Sequence, residues 1–364
     1  DPQSYKTFTK HNSNNGETMS VPIVYFRSSS FNSHRMCPMQ YYHEYALGWR
    51  GSSGKKADKG TIVHKVLELA ALCKKAVQDG HKTFKDSEIG EIETSNYDPE
   101  YLDSIIDLVY EYYTSRTGHH DWKPLDLKHC RKWVWKIFND DDGLFDPKNR
   151  LVVDAEPHFD FEVEEDWAKY SYTLDDGSVL EGNLSLKGTI DLITDIGDDT
   201  YEVIDWKTGR RLDWATGKEK TPAKLQNDPQ LRMYHLAVKK LYPHVKSFLI
   251  TIHFMNDGGP FTLHFQDSDV KDTMEMIRAK FEVIKDTTTP QQIKSWKCSK
   301  LCSAGKTTYE DTHVEPLYNI FGAPLTKCEQ TMAMIKENGI EWVTGNCMSP
   351  DHAIGKYQAP GEVG

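Results

Sequence analysis

The sequence predicts an α/β fold, a sheet flanked by helices, from two kinds of apolar pattern. Short apolar or alternating segments bounded by turn residues are typical of strands. They span residues 151–163, 170–173, 179–184, 187–193, 201–206, 245–254 and 261–265. Longer segments with apolar residues three and four positions apart are typical of helices, and the clearest is Gly60–Gln78. The other predicted helices span residues 34–47, 100–116, 125–139, 227–241, 269–285 and 326–337.

The composition is that of a globular protein. The chain of 364 residues is long enough for a large core, 38% of it is hydrophobic, and no apolar run approaches the ~18 residues that span a bilayer. Residues 1–18 are polar and lack the apolar stretch that marks secretion. We therefore expect a disordered leader or tag there, and a soluble cytoplasmic protein. A polar loop is predicted over residues 80–98 and a turn at Asp140–Gly143.

The charge and the cysteines argue against two classes of protein. A formal net charge of -11 argues against a protein that coats nucleic acid through bulk positive charge, although local basic patches stay compatible with it. Seven cysteines, an odd number without a secretory signal, argue against a disulfide framework and favour metal ligation or free thiols. Of these, Cys73 and Cys130 lie in predicted helices, and we expect them to be structural.

Two carboxylates and an ammonium group gather in the predicted hairpin over residues 187–206 and just beyond it. We expect Asp191 on the first strand and Asp205 on the second. Lys207 then shares a face with Asp205, because strand side chains repeat every two residues. Acids among apolar strand residues are costly unless they are paired or bind a metal. Such a group suits Mg²⁺; the alternative is an acidic hairpin with a surface ion pair.

The same residues resemble a known family. Gly188-x-x-Asp191 followed by Asp205-Trp-Lys-Thr-Gly209 resembles the core signature of PD-(D/E)XK nucleases of the RecB-type branch, and the likeness extends from about Phe31 to Cys328. It implies a restriction-endonuclease-like α/β core with a mixed central sheet. We expect this core over residues 19–290, with a helical insertion at about 80–150. Residues 291–364 would form a C-terminal cysteine-containing segment that packs back on the N-terminal helix.

The resemblance also implies further ligands for a divalent cation. In this family a histidine at G-x-x-x-H on an early helix binds the metal, and His64 occupies that place after Gly60. Neutral imidazole is a fitting ligand for Mn²⁺. Glu156 holds the place of an acid that acts on the metal directly or through water, and the Trp206 carbonyl oxygen is expected as one more ligand. Taken alone, the histidine would be an ordinary helix residue and Glu156 an exposed strand residue.

A second helix carries a motif of the RecB-type branch. Asp228 is predicted to cap it, with Pro229 in its first turn. Gln230 and Tyr234 lie four residues apart and share a face. This Gln-x-x-x-Tyr resembles the branch's own motif, which implies that the pair lies beside the catalytic centre and positions the scissile phosphate or Lys207.

A basic segment follows the Lys207-Thr-Gly sequence. It contains Arg210, Arg211, Lys218 and Lys220. A solvated loop is one interpretation. Because the segment follows the expected site directly, the other is a wall that contacts the DNA backbone.

Four cysteines are expected to hold a cluster. Cys37 precedes Pro38 in an early aromatic-rich helix, Cys298 and Cys302 form C-x3-C, and Cys328 lies at a predicted helix start, where a thiolate is favoured. The resemblance to iron–sulfur exonucleases, including CRISPR-associated members, implies a structural [4Fe–4S] cluster, with Zn²⁺ as the alternative. The 25 residues between the last two cysteines depart from that pattern, so Cys347 or His313 stays open as a ligand.

The expected function is metal-dependent hydrolysis of DNA, as an exonuclease on single-stranded ends, with Mg²⁺ or Mn²⁺. The sequence leaves polarity, DNA against RNA, and exonuclease against endonuclease open. It contains no Walker A loop, so unwinding would need a helicase or recombinase partner. The size favours a phage or prokaryotic recombination or repair protein. Two other classes remain, a non-catalytic DNA-binding partner and a zinc-stabilised interaction module.

Overall fold

A computed structural model describes residues 21, 23–93, 99–173, 179–213, 216–256, 258–350 and 352. The chain divides into two compact units. We call Ser53–Phe159 with Thr189–Thr273 the sheet unit, and Asp1–Ser52 with Asp160–Gly188 and Met274–Gly364 the terminal unit. The expected leader over residues 1–18 lies outside the described residues.

The described residues form strands and helices that alternate along the chain. The strands are β1 (Tyr25–Phe26), β2 (Thr83–Asp86), β3 (Gly90–Glu93), β4 (Leu151–Ala155), β5 (His158–Glu162), β6 (Lys169–Thr173), β7 (Val179–Asn183), β8 (Ser185–Thr189), β9 (Leu192–Gly197), β10 (Thr200–Lys207), β11 (Ser247–Phe254) and β12 (Gly259–Phe265). The helices are α1 (Ser28–Met36), α2 (Pro38–Tyr41), α3 (Lys55–Gln78), α4 (Pro99–Thr114), α5 (Pro124–Asn139), α6 (Pro222–Gln226), α7 (Pro229–Leu241), α8 (Ser268–Lys285), α9 (Lys297–Lys300), α10 (Ser303–Lys306), α11 (Lys327–Asn338) and α12 (Ile340–Cys347). No helix among these residues is long and apolar enough to cross a membrane.

A five-stranded mixed sheet organises the sheet unit. Its order is β12-β11-β10-β9-β4, and β10 pairs with β11 in parallel while the other neighbours are antiparallel. The turn between β9 and β10 has Asp198 and Asp199 at positive φ, the conformation of a tight hairpin turn. This confirms the α/β class with a mixed central sheet. It also makes β10 a central strand.

Helices cover both faces of this sheet. Helix α3 buries Ile62, Val66 and its other apolar side chains in one core with α4, α5 and the Trp206 face of β10. On the opposite face, α7 packs against β11, where His235 contacts the Phe248 ring. Helix α7 begins as predicted, because the Asp228 side chain accepts a hydrogen bond from the Gln230 amide and Pro229 follows.

The terminal unit joins the N-terminal helices to the C-terminal part of the chain. The Met39 amide donates to the Gln291 carbonyl oxygen at 3.1 Å. His43 Nε2, on the turn after α2, lies 2.8 Å from Thr331 Oγ1 on α11. Strands β1, β8 and β5 form a three-stranded sheet, in which β1 pairs with β8 in parallel.

Several predicted elements differ from the observed ones. The predicted strand 187–193 is interrupted, with β8 ending at Thr189 and β9 beginning at Leu192, and the strand 151–163 is interrupted between β4 and β5. The polar loop predicted over residues 80–98 instead contains the β2–β3 hairpin, while 94–98 lie outside the described residues. Helix α3 begins five residues earlier than predicted, at Lys55. The predicted helix over residues 34–47 is divided, because α1 begins earlier, at Ser28, and ends at Met36, and α2 begins at Pro38.

Candidate active site

The interruption between β8 and β9 positions Asp191. The residue lies between the strands and not on one, contrary to the prediction. Its buried carboxylate accepts a hydrogen bond from the Trp206 amide at 2.7 Å. Leu192 and Ile204 form the last pair of the β9–β10 ladder, so the Asp191 side chain supplies the next acceptor for β10. That bond fixes the carboxylate beside the strand that carries Asp205.

Asp205 and Lys207 face the same side of β10, as the two-residue repeat of a strand predicts. Lys207 Nζ lies 2.8 Å from Oδ1 and 2.7 Å from Oδ2 of the fully buried Asp205. Burial raises the pKa of Asp205 above its usual range, although the Lys207 ammonium opposes the rise. Despite the short distance, Oδ2 accepts no hydrogen bond from the residues that the structure describes. We therefore regard the Oδ2–Lys207 contact as electrostatic.

His64 reaches the same place from α3. Its Nε2 lies 2.8 Å from the Trp206 carbonyl oxygen, and its Nδ1 lies 3.5 Å from Asp191 Oδ1. Burial alone would lower the pKa of His64, but the Asp191 carboxylate outweighs burial and raises the pKa to about 9. The protonated ring therefore donates to both neighbours at neutral pH.

Glu156 completes a group of potential ligands. One ligand atom each from His64, Glu156 and Asp191 lie within 4.8 Å of one another. Glu156 has φ 53°, a left-handed conformation that costs a residue with a side chain ~1–3 kcal/mol, and its amide donates to the Asp191 carbonyl oxygen at 3.1 Å. Burial, together with the Asp191 charge, raises the pKa of Glu156 to about 8.

Helix α7 brings Gln230 and Tyr234 to Asp205. The Tyr234 hydroxyl lies 2.8 Å from the Thr189 carbonyl oxygen and 3.3 Å from Asp205 Oδ1. It accepts a hydrogen bond from Gln230 Nε2 at 2.8 Å. Burial, reinforced by the Asp205 charge, raises the pKa of Tyr234 well above its usual value, so the hydroxyl stays a donor. Tyr234 therefore contacts Asp205 directly, and Gln230 acts on it through the Tyr234 hydroxyl.

The donor set fits a hard divalent cation. Mg²⁺ and Mn²⁺ take carboxylate and carbonyl oxygens, and Mn²⁺ also accepts imidazole. Among the described residues the buried Asp205 Oδ2 has the Lys207 ammonium at 2.7 Å but accepts no hydrogen bond, so this carboxylate oxygen keeps lone pairs that can bind a cation. The Trp206 carbonyl oxygen faces the site, where it contacts His64. Asp205 is not part of the three-residue group, but its charge acts on Asp191 and His64.

The basic segment after β10 is engaged in local contacts at two of its four predicted positions. Arg211 pairs with Glu219 and lies over the Phe261 ring at 4.5 Å. Lys220 Nζ lies 2.5 Å from Asp228, the residue that caps α7. Arg210 and Lys218 are exposed. Residues 214–215 within this segment lie outside the described residues.

Three of the four predicted cluster cysteines, Cys37, Cys298 and Cys328, form hydrogen bonds with one short segment of the terminal unit, residues 291–295. The Ile293 amide donates to Cys37 Sγ at 3.4 Å, the Ser295 amide to Cys298 Sγ at 3.5 Å and Gln292 Nε2 to Cys328 Sγ at 3.1 Å. Cys302 and Cys328 act on each other electrostatically. No three of these sulfurs lie within 4.8 Å of one another in the described part of the chain.

The other two candidate ligands lie elsewhere in the terminal unit. Cys347 Sγ contacts Met334 Sδ at 3.8 Å, and the His313 ring stacks on Trp49 at 5.8 Å. The predicted helix start at Cys328 is present, but burial raises the pKa of this thiol to about 12, against the lowering expected from the helix N-terminus. Neighbouring cysteines add to the rise in the pKa of Cys328, because negative charge on them would oppose a second negative charge on the Cys328 sulfur.

A comparison with protein families identifies the fold. A family model described as the PD-(D/E)XK nuclease superfamily matches residues 28–306. The chain belongs to this superfamily. PD-(D/E)XK nucleases use divalent metals and act on nucleic acid phosphodiester bonds. The matched segment contains every predicted residue of the metal site and three of the four cysteines, Cys328 being outside it.

The chain was also compared with solved structures and with curated proteins. A crystal structure from Eubacterium rectale, named "Putative exonuclease", is similar over 81% of this chain and 91% of that chain, with 11% sequence identity and a TM-score of 0.42. A search of the curated proteins finds no match.

Some residues that shape the site were missed from the sequence. The Thr189 carbonyl oxygen accepts a hydrogen bond from the Tyr234 hydroxyl. Every residue has a backbone carbonyl group, so residue type gives no sign of this role. Gly60 lets α3 approach β10, because a Cβ there would lie 3.1 Å from Thr208 Oγ1. Lys65 forms a buried ion pair with Asp86 at 2.8 Å, one residue from His64. The signal in the sequence was Lys65 itself, a charged residue among the apolar residues of a predicted helix, which indicates a buried ion pair.

Proposed function

We propose that this protein is a Mg²⁺- or Mn²⁺-dependent deoxyribonuclease that digests DNA from single-stranded ends. The observation that carries the proposal is the Asp205–Lys207 pair beside the group of His64, Glu156 and Asp191. Membership of the PD-(D/E)XK superfamily supports nuclease activity with a divalent metal. The RecB-type branch, the exonuclease mode and a cytoplasmic role in recombination, repair or phage DNA metabolism are parts of the proposal.

His64, Asp191 and Asp205 would hold the divalent cation, with the Trp206 carbonyl oxygen and Glu156 as further ligands. The cation supplies positive charge opposite the phosphate and makes water more acidic. The side chains around the cation orient the attacking water, stabilise charge on the phosphate and contact the DNA.

Lys207 orients the attacking water or stabilises the negative charge that develops on the phosphate. The Tyr234 hydroxyl positions Asp205 through its contacts with Asp205 Oδ1 and the Thr189 carbonyl oxygen. Gln230 orients this hydroxyl by donating a hydrogen bond to it. Arg210 and Lys218 are exposed beside this site and would contact the DNA backbone. Arg211 and Lys220 would do so only after leaving their ion pairs with Glu219 and Asp228.

The test is cleavage of end-labelled single- and double-stranded DNA with Mg²⁺, Mn²⁺ or EDTA. We expect metal-dependent shortening from one end, and a loss of about 10²-fold or more in rate for Asp205→Asn and for Lys207→Met. Asp272→Asn and Lys271→Met change the same charges at exposed positions of α8 and should retain the parent rate. Full activity of either site variant would refute the assigned roles. A folded, metal-bound parent that cleaves no substrate would favour a non-catalytic DNA-binding partner.

We further propose that Cys37, Cys298, Cys302 and Cys328 hold a structural [4Fe–4S] cluster. Tetrahedral Zn²⁺ bonded to sulfur at ~2.3 Å needs sulfurs roughly 3.8 Å apart. No three of the four sulfurs come within 4.8 Å of one another in the described part of the chain, and the resemblance to iron–sulfur exonucleases is the reason for preferring a cluster, with Zn²⁺ as the alternative. Backbone and side-chain N–H groups already point at three of the sulfurs, as in the hydrogen-bonded thiolates that tune such clusters.

Metal analysis of anaerobically purified protein tests the cluster. We expect iron and acid-labile sulfide in equal amounts, lost in Cys298→Ser. Cys347→Ser should keep both, because Cys347 packs against Met334. Zinc without iron would support the zinc alternative. Loss of iron in Cys347→Ser with retention in Cys298→Ser would contradict the ligand set.

Two expectations about organisation also remain proposals. One is the division into a nuclease core over residues 19–290, with its insertion at about 80–150, and a C-terminal segment over 291–364. The other is a helicase or recombinase partner that opens duplex DNA, for which the missing Walker A loop in the given sequence is the reason.

A further inference from the structure

Residues 287–309 carry a net positive charge, whereas the chain as a whole is negative. Between Asp286 and Glu310 the sequence contains four lysines and no Asp or Glu, in a protein of formal net charge -11. The lysines are Lys294, Lys297, Lys300 and Lys306. The stretch also contains Trp296. Basic residues interleaved with an aromatic residue are typical of proteins that bind single-stranded nucleic acid.

The structure brings these residues onto two adjoining turns of the terminal unit. Helix α9 carries Lys297 and Lys300, and α10 ends at Lys306. A Cβ at Gly305 would lie 2.3 Å from the Cys298 carbonyl oxygen, so the backbones of the two turns are in contact. Lys297, Lys300 and Lys306 therefore lie on two adjoining turns, Trp296 caps the first of these turns, and Lys294 lies two residues before Trp296.

Among the described residues, the side chains of Trp296 and of the four lysines have no ion-pair, ring or cation–π partner. Trp296 is 61% exposed, and its ring makes no ring or cation–π contact with the residues described. None of the four lysines forms an ion pair with a described acid. Glu44, whose charge acts on Cys302, is engaged by Ser33 and Gln40 instead. A large exposed indole amid unpaired ammonium groups has no role in holding the fold.

We propose that Trp296, Lys294, Lys297, Lys300 and Lys306, the Trp–Lys patch, bind single-stranded DNA separately from the metal site. The indole stacks on a base, and the ammonium groups contact the flanking phosphates. Charge complementarity selects this occupant, because the patch is positive and a nucleic acid strand is negative. Stacking accepts any base, so the patch binds without sequence preference. The inference rests on the proposed function for the choice of DNA.

The test is the binding of a fluorescent oligothymidine of ~12 nucleotides, measured by anisotropy in EDTA with the Asp205→Asn protein. Removing the indole in Trp296→Ala should weaken binding by about 5- to 150-fold, and Trp296→Phe should recover most of the loss. Changing all four patch lysines to glutamine should flatten the plot of log affinity against log salt by up to about 2.8, at ~0.7 per phosphate contact.

A matched variant controls for net charge. Lys85, Lys128, Lys132 and Lys336 are exposed, and changing these four to glutamine removes the same charge elsewhere. This control should keep the parent affinity and salt slope. Equal affinity and slope for the patch variant and the control would overturn the proposal, as would equal affinity of Trp296→Ala and the parent. Thermal melting confirms that each variant is folded.

The outcomes separate this inference from the nuclease proposal. Cleavage is measured in the Asp205 parent with metal, whereas binding is measured without metal in the inactive variant. Binding that depends on the patch, in a protein that cleaves nothing, would support the patch and refute the nuclease. Cleavage that depends on Asp205, with binding unaffected by the patch variants, would do the reverse.

Discussion

The affinity of the active site for Mn²⁺ should rise steeply with pH. Ligation requires a neutral imidazole on His64 and an ionised Glu156. In the metal-free chain the pKa of His64 is raised to about 9 and that of Glu156 to about 8. At pH 7 roughly 1% of His64 and roughly 10% of Glu156 are then in the ligating form. The apparent affinity at pH 7 is therefore about 10³-fold weaker than above pH 9.

The slope of log affinity against pH counts the protons released. We expect a slope of about two below pH 8 and about one between pH 8 and 9, because Glu156 deprotonates first. Calorimetric titration with Mn²⁺ across this range, in buffers of different ionisation enthalpy, measures both affinity and proton release. His64→Gln and Glu156→Gln should each lower the slope by one, whereas His244→Gln, an exposed control, should leave it unchanged. A slope near zero in the parent would refute the protonated site.

Three further predictions concern stability. Lys65→Met should cost about 3–5 kcal/mol in urea unfolding, because it leaves the buried Asp86 carboxylate without its partner; a cost below ~1 kcal/mol would contradict this. His253 is fully buried, and burial lowers its pKa to about 4, so the unfolded chain takes up a proton first as pH falls below ~6.5 and stability declines by up to ~1.4 kcal/mol per pH unit. His253→Leu should remove the part of the decline that His253 causes, measured as unfolding free energy at pH 7 and 5, while His34, His43 and His235, whose pKa values burial also lowers, keep theirs; an unchanged pH dependence would count against it. Gly305→Ala should lower the melting temperature and the iron content, because its Cβ would meet the Cys298 carbonyl oxygen at 2.3 Å, and wild-type values for both would show that the backbone can yield.

Local signals in the sequence were enough for the elements that bracket the site. Helix α7 follows from its cap, its proline and its apolar spacing, and all three depend on residues close together in the chain. The same is true of the β9–β10 turn and of Asp205 with Lys207, which a strand places on one face by its two-residue repeat. Residue type and spacing carry this information without knowledge of the rest of the fold.

Long-range contacts decide what the sequence could not show. Apolar residues continue through Ile190, so residues 187–193 resemble one strand, yet the Trp206 amide pairs with the Asp191 side chain and the strand is interrupted. The β2–β3 hairpin was predicted as loop because it is polar, and its buried Asp86 is stabilised by Lys65 on a distant helix. Three of the predicted cluster cysteines likewise accept hydrogen bonds from residues 292–295, and the sequence of that segment gives no sign of these contacts.

The charges of the site explain why it can be stable both without and with a metal. At pH 7 the metal-free site holds two cations, His64 and Lys207, opposite two ionised carboxylates, Asp191 and Asp205, while Glu156 is mostly neutral. A divalent cation that displaces one proton from His64 and one from Glu156 leaves the total charge unchanged. The buried carboxylates therefore have counter-charges in both states, which burial of several acids requires. A site that contained only the two aspartates could not exchange protons for the cation in this way. Without a metal, its two buried carboxylates would repel each other.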